Sequence, residues 1–308
     1  MEFSVVVKKT LELTNDDWSA YVILFNEIFH RNYTKEDFLV KYLKNETGYA
    51  IHSLLYCDGV LVGSQSFILE KILYHGKKVS IACGCDTFIS PKKRKRFSSL
   101  NDLYDAAISV LREHGAIALI GQTRKEILAY LSSWRQNKLI GNISNYIIPI
   151  CPMARKQPGA FLINLCFSLI ARFGLMLMKF NRRKFFRGDE LFRPVDDQYY
   201  TPSAYFSQEV ALPDGLRFNY FISNKNHIIF VHDNFEKVSD LVTGVCFLLK
   251  KHNYKVRAVE YQTCIKIPLP FISYIKNLPF CGEIISSEVE PNEFFNLSNW
   301  KYKRGYFD

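Results

Sequence analysis

The sequence contains no CxxC pair and no cluster of cysteine and histidine at zinc-ligand spacing. That excludes the common zinc modules and dithiol redox sites, and no metal site is expected. Heptads, low-complexity tracts and close internal repeats are lacking as well, so neither a coiled-coil arm nor a disordered tail is expected. Acidic residues are in deficit: 30 Asp and Glu stand against 40 Lys and Arg, a formal net charge of +10. Such a balance suits nucleic acid, a membrane surface or a phosphorylated ligand, and does not choose among them. The opening residues, MEFSVVVKKT, lack the charged-then-apolar layout of a secretion signal, and a cytoplasmic location is expected.

What is present is a chain of 308 residues, 48% of them apolar and 15% aromatic, enough for one large domain or two ordinary ones. Most of its eight cysteines sit inside apolar runs and read as buried free thiols in a reducing compartment. Cys83-Gly84-Cys85 puts two thiols on one strand face, too close for an ordinary disulfide, and packing is the first reading of both. One long apolar run, Phe161 to Met178, carries a single charge, Arg172, and is flanked by Arg155, Lys156, Lys179, Arg182, Arg183, Lys184 and Arg187. A helix packed on protein is its first reading; weak membrane contact as an interfacial helix, or a span, are the others.

In chain order, residues 1–10 read as an edge strand. Helix starts follow at Thr14-Asn15-Asp16-Asp17 and near Thr34, each with acidic residues in the first turn. Strands are expected at Tyr49–Cys57, Val60–Leu69 and Val79–Ile89, the first two joined by the hairpin signal Asp58-Gly59. A helix with Leu100, Leu103, Ala107, Val110 and Leu111 on one face, a strand Ala116–Gly121, a helix Arg124–Trp134 and a strand Ile140–Ile150 complete the first half. The second half has strands at Leu216–Ile222 and His227–His232, a helix Val238–Lys251, a strand Lys255–Tyr261, a short helix Phe271–Leu278 and a strand Gly282–Ser287. This order predicts an α/β (α+β) chain with mixed, mostly antiparallel sheet flanked by helices.

Between the strand ending at Ile89 and the helix that follows lie five consecutive cations, Lys92, Lys93, Arg94, Lys95 and Arg96, then Phe97, Ser98 and Ser99. A helix start has unpaired amides and partial positive charge, so strand, basic turn and helix form an anion-binding layout.

With these elements in place, residues 10–150 resemble the GNAT acyltransferases, which move acyl groups from acyl-CoA to amines. In that family an Arg/Gln-x-x-Gly-x-Gly/Ala turn after a strand holds the CoA pyrophosphate. Here Arg94 stands for the Arg/Gln, while Phe97 and Ser99 fall where the small residues are expected, and the turn has no glycine. The family's next strand ends in a pantetheine-binding residue, with a tyrosine about seven residues on; Gly121-Gln122-Thr123 and Tyr130 match that spacing. The whole chain is similar, more loosely, to tandem GNAT-like proteins that acylate nucleotide-linked amino sugars. Its Tyr42-Leu43-x-Asn45, Asp58-Gly59-x-Leu61-Val62-Gly63, Asp86-Thr87 and Trp300–Asp308 segments carry that likeness.

The resemblance implies two GNAT-like halves: an acyl-CoA domain at 1–150, a helical linker at 151–195 and a second half at 196–308. It implies acyl-CoA as co-substrate with no permanently bound cofactor, and as acceptor a dTDP-linked 3-amino-3,6-dideoxyhexose for surface polysaccharide. No nucleic-acid partner is expected on this reading. The same tandem fold acting on aminoacyl-tRNA, or a catalytically inactive binding module, are the alternatives. Backbone amides near Phe88 and Ile89 are candidates for the oxyanion, the Lys92–Ser99 turn for pyrophosphate, and Gln122 and Thr123 for pantetheine. Tyr130 is the candidate acid for the departing thiolate, against a packed tyrosine. Asp86 is the candidate base, against a structural carboxylate. His30 and Glu126 are weaker bases, and His30 also reads as a helix C-cap. Trp134, Tyr199, Tyr200, Tyr205 and Trp300 are candidates for stacking on the acceptor's nucleotide, against core packing.

Overall fold

The computed structural model describes residues 2–93, 98–154, 157–181, 184, 190–195, 208–223, 227–232, 235–263, 267 and 269–301. In order its elements are β1 (Phe3–Lys9), α1 (Asn15–Phe29), α2 (Lys35–Leu43), β2 (Ala50–Cys57), β3 (Val60–Tyr74), β4 (Lys77–Ile89), α3 (Ser98–Glu113), β5 (Ala116–Gln122) and α4 (Lys125–Trp134). Then come β6 (Lys138–Pro149), α5 (Ala160–Lys179), β7 (Phe192–Pro194), β8 (Gln208–Ala211), β9 (Arg217–Ser223) and β10 (Ile228–His232). The last are α6 (Val238–Lys251), β11 (Ala258–Thr263), β12 (Ile272–Ile284) and α7 (Pro291–Phe294).

Two compact units interleave along the chain, where the sequence divides it consecutively at 150 and 195. The first comprises residues 1–141, 191–205 and 279–300; the second comprises 142–190, 206–278 and 301–308. Strand pairing is the cause: the end of β12 lies antiparallel on β5, Phe280 opposite Gln122 and Ile284 opposite Ala118, so the C-terminal region returns to the first unit.

In the first unit the strands run β1-β2-β3-β4-β5-β12. All neighbours are antiparallel except β4 and β5, which are parallel. Both predicted helix starts are capping boxes. The Thr14 hydroxyl accepts from the Asp17 amide while the Asp17 carboxylate accepts from the Thr14 amide, and Thr34 with Asp37 repeats the pattern. The hairpin between β2 and β3 turns on Asp58 and Gly59, at φ 50° and 78°, the left-handed pair such a turn needs. Trp18, Tyr21, Phe25, Phe38 and Tyr42 from α1 and α2 form an aromatic layer over β3 and β4, all buried. On α3, Leu103, Ala107 and Leu111 are buried, the periodicity read from sequence.

In the second unit the strands run β6-β11-β10-β9-β8, with β10 and β11 parallel. Leu241, Val245, Leu248 and Leu249 of α6 join Ile148, Phe218, Ile229 and Val259 in its core. The fold is mixed α/β with helices flanking mixed sheet, as expected. One element differs. Phe271–Leu278, expected as a short helix, lies at the start of β12, a single strand from Ile272 to Ile284. Eight residues with apolar positions fit either period, and pairing along the strand decides for the extended form.

Candidate functional site

The ladder between β3 and β4 has one irregularity, and the candidate base sits on it. Ser66 lies opposite Cys85 and Ser64 opposite Phe88, so Gln65 alone faces Asp86 and Thr87. This is a β-bulge, the device that re-aims a side chain within a ladder. Gln65, fully buried, fills the gap: its amide donates to the carbonyls of Ser66 (2.8 Å) and Cys85 (3.2 Å), and its own carbonyl accepts from the Thr87 hydroxyl. Asp86 takes φ 50°, a left-handed conformation that aspartate tolerates better than most residues.

On the opposite edge, β4 and β5 part company. Their parallel pairing ends with Cys83 opposite Ile120, although β4 continues to Ile89 and β5 to Gln122. The parted strand ends lie just beyond the bulge, with α3 entering next along the chain.

The Asp86 carboxylate is anchored through one oxygen. Oδ2 accepts from Lys41 Nζ and from the Tyr42 hydroxyl, each at 2.5 Å. Lys41 is buried, with 4% of its side chain exposed against 11% for Asp86. Oδ1 takes no hydrogen bond from the described residues. A charge pair this deep holds only when both partners are present and hydrogen-bonded.

From Tyr42 a chain of neutral polar groups runs into the core. Tyr42 and Tyr21 hydroxyls lie 2.7 Å apart, both reach Ser66 Oγ at 3.3 Å, Ser66 meets His52 Nδ1 at 2.9 Å, and His52 Nε2 meets Thr10 Oγ1 at 3.0 Å. Burial pushes the His52 pKa down to about 3; the Lys41 charge pushes the same way and Asp86 opposes it. Burial first, then the negative charge of Asp86, raises Tyr21 well above the usual tyrosine range. Both groups therefore stay uncharged, and the Lys41–Asp86 pair is flanked by neutral donors and acceptors.

The remaining sequence candidates are placed as follows. Phe88 is buried, its ring edge-on to Tyr21 at 5.0 Å and to Phe25 at 5.7 Å, so its side chain is core and only its backbone can face a ligand. Ile89 is half-buried against the cluster of Leu55, Val62 and Leu103. Lys92 is exposed. Arg94, Lys95, Arg96 and Phe97 lie outside the described residues, as do the side chains of Lys93 and Ser98. Ser99 is buried at the start of α3, and its hydroxyl has no partner among the described residues. Gln122 ends β5 opposite Phe280, and the Thr123 amide donates to the Pro279 carbonyl at 3.1 Å.

Tyr130, on α4, is half-buried; burial and then the Asp102 charge raise its pKa, which keeps the phenol protonated. Trp134 closes the same helix, 70% exposed, on a cleft of about 290 Å³ also lined by Asp105, Arg112, Arg135 and Glu283. Arg135 is held there by Glu283, at 2.8 and 3.0 Å, and by Asp105.

His30, Glu126 and Trp300 are not at the bulge. His30 is exposed and caps α1 in a left-handed conformation, its amide donating to the Asn26 carbonyl, the cap reading of the sequence. Glu126 is exposed in the first turn of α4. Trp300 is buried, stacked on Phe192 at 4.4 Å, and its indole donates to the Phe294 carbonyl at 2.7 Å, so it is core and not a stacking platform. Tyr199, Tyr200 and Tyr205 lie outside the described residues.

Sequence reasoning missed Lys41 and Gln65 as partners of the site. The available signal was Lys41 itself, a cation three residues after Phe38 and beside Tyr42 on the face of α2 that is otherwise apolar.

No protein-family profile matches the chain, and no curated protein does. Solved structures do. A probable N-acyltransferase of unknown function from Enterococcus faecalis V583 superposes with a TM-score of 0.57 at 11% identity, over 92% of this chain and 73% of that one. A GCN5-related N-acetyltransferase from Anabaena variabilis gives 0.54 at 11%, over 91% and 73%. Another from Kribbella flavida gives 0.53 at 10%, over 90% and 70%. At these identities the likeness is one of fold: the chain shares the GNAT-type architecture of these neighbours.

Proposed function

We propose that this chain is an N-acyltransferase that moves an acyl group from acyl-CoA to the amino group of a nucleotide-linked sugar. The acceptor we favour is of the dTDP-amino-sugar type, used in cytoplasmic assembly of surface polysaccharide. The observation that carries the reading is Asp86: a carboxylate on a bulge beside parted parallel strands, fixed through one oxygen and open at the other.

In this mechanism the thioester carbonyl lies at the parted ends of β4 and β5, and the acceptor amine attacks its carbon. Asp86 Oδ1 takes a proton from the attacking nitrogen, and a backbone amide near Phe88 or Ile89 steadies the oxyanion. The tetrahedral intermediate collapses as the carbon–sulfur bond breaks, and the CoA thiolate takes the proton of the Tyr130 hydroxyl. Lys41 and Tyr42 act as positioning residues, since both donate to the Asp86 carboxylate and hold it. The turn Lys92–Ser99 holds the donor's pyrophosphate mainly by side-chain charge, with Gln122 and Thr123 along the pantetheine arm. Trp134, exposed beside Arg112, suits the acceptor's nucleotide by stacking and charge.

Replacing Asp86 with Asn keeps the left-handed backbone tolerated and removes the base. The expected result is a drop in kcat of about 10²–10⁴ with an unchanged KM for the donor. Equal turnover would remove Asp86 from the chemistry. Binding of free CoA is read separately by thermal shift, which rises with concentration if the donor site exists; a flat curve at millimolar CoA would sink the donor assignment. Turnover with aminoacyl-tRNA and not with acyl-CoA would move the chain to the alternative donor class.

A further inference from the structure

Helix α5 is built inside out. One narrow stripe of it is buried or half-buried: Ala160, Asn164, Phe167 and Ser168, Ala171, Gly174 and Leu175, and Met178. That is the three- and four-residue spacing of a helix packed on its neighbour along its whole length. The stripe is rich in small residues, and Gly174 sits so close to the Pro270 ring that an added Cβ would lie 2.7 Å from it. The opposite face is where the large side chains are. Phe161 is 78% exposed and Phe173 60%, with Leu162, Leu165, Leu169, Ile170, Met176 and Leu177 exposed between and beside them. Twenty residues make this face about 30 Å long. Its only internal charge does not interrupt it, because the Arg172 guanidinium lies over the Tyr254 ring, 3.9 Å from its centre.

Charge decides what covers such a face. From Cys151 to Gly188 the sequence has eight cations, Arg155, Lys156, Arg172, Lys179, Arg182, Arg183, Lys184 and Arg187, and no acidic residue. Apart from Arg172, and Lys179 at the helix's last position, they stand in sequence on both sides of the helix. A second copy of this chain would bring like charge against like charge. An anionic lipid surface accepts both features at once: acyl chains take the aromatic and aliphatic face, and headgroups take the flanking cations. A bilayer span is excluded by the packed stripe, since the helix touches its own unit from Ala160 to Met178.

We propose that α5 is an interfacial anchor, lying in the plane of an anionic membrane with its outer face among the lipid acyl chains. The proposal does not depend on the acyl-transfer reading, and its test uses no donor or acceptor. The full chain is sedimented with vesicles of phosphatidylcholine, with and without phosphatidylglycerol, at low and high salt. Binding to the mixed vesicles is expected, at least about tenfold weaker on pure phosphatidylcholine and weakened by salt. The double variant Leu169→Glu/Phe173→Glu changes only exposed positions and is expected to bind at least about tenfold more weakly. An environment-sensitive dye on Cys166, exposed on the helix, gives a second reading in a background with Cys151, Cys246 and Cys264 replaced by serine. Its emission is expected to shift to the blue on mixed vesicles alone. The proposal is overturned by recovery in the supernatant whatever the lipid, by equal binding to both vesicle types, or by unchanged binding of the double variant. A blue shift that grows with protein concentration in lipid-free buffer would equally overturn it, in favour of a second copy.

Discussion

Two helices of this chain break the rule of apolar inside and polar outside, in opposite senses. On α2 the buried face reads Phe38, Lys41, Tyr42, so a cation is placed in the core of the first unit. On α5 the buried stripe is small and the outward face is aromatic and aliphatic, in the second unit. The inward cation is compensated within the protein by Asp86 and its hydrogen bonds. The outward apolar face has no such compensation among the described residues. A departure satisfied internally marks a site the fold has been built around; one left unsatisfied marks a surface that meets something else.

The largest effect is expected from removing the internal compensation. Lys41→Met keeps the length of the side chain and leaves Asp86 charged and without its cation. Stability should fall by about 3–5 kcal/mol, read from urea unfolding at neutral pH. The double variant Lys41→Met/Asp86→Asn removes both charges and should recover most of that loss. If the double variant is as unstable as the single one, the loss is packing and the ion-pair account fails.

The second prediction concerns the neutral chain behind the pair. His52 titrates at about 3 in the folded protein, against about 6.5 for a free histidine, so between those values only the unfolded chain takes the proton. Stability therefore falls as pH drops through this window, by about 1.4 kcal/mol per pH unit for one proton. His52→Gln should remove that slope. His252, lowered by burial and then by Lys251, adds a slope of the same sign that stays in both proteins. Asp17 acts lower: burial opposes it, but bonds from Lys8, the Thr14 amide and Tyr56 hold it at about 2. Its contribution is present above about pH 4 and lost as pH falls toward 2. Measurements between about pH 6 and 4.5 thus separate the histidine. Equal slopes for the parent and the variant would place His52 in contact with solvent.

Much of this is legible in the residues alone. The helix starts at Thr14 and Thr34 and the Asp58-Gly59 turn are as expected, because each rests on local devices whose partners lie within four residues, the two starts on threonine–aspartate capping boxes. Asp86 was picked out by its place on a strand, but the bulge that aims it was invisible. A bulge is a mismatch between two strands, and only the register of β3 against β4 reveals it. The pairing of Lys41 carries no sequence signal, because its partner is 45 residues away. The apolar run Phe161–Met178 had the opposite fault. Its length and flanks were plain, but which face the protein covers depends on Pro270 and Tyr254, far along the chain.

On the buried stripe of α5 a small change should matter. Gly174→Ala in an exposed helix would gain stability from helix propensity by about 1 kcal/mol. Here the new Cβ meets the Pro270 ring at 2.7–2.8 Å, so the helix must shift or the proline must yield. A loss of about 1–3 kcal/mol is expected by thermal or urea unfolding. A gain would mean that α5 is not seated against Pro270.

The smallest effect should come from the face that looks most like a core. Leu169→Gln removes an apolar side chain that is 55% exposed, so little burial is lost on folding. Surface substitutions of this kind change stability by less than about 0.5 kcal/mol, against the 2–5 kcal/mol that truncating a buried leucine costs. Solubility, by contrast, should rise, because the apolar patch is broken at its middle. The pair of readings separates a helix in water from one already covered. If Leu169→Gln destabilises by more than about 1.5 kcal/mol, and the loss depends on protein concentration, then the outer face is buried against a second copy. In that case the two helices would no longer contrast, since both departures would be compensated by protein.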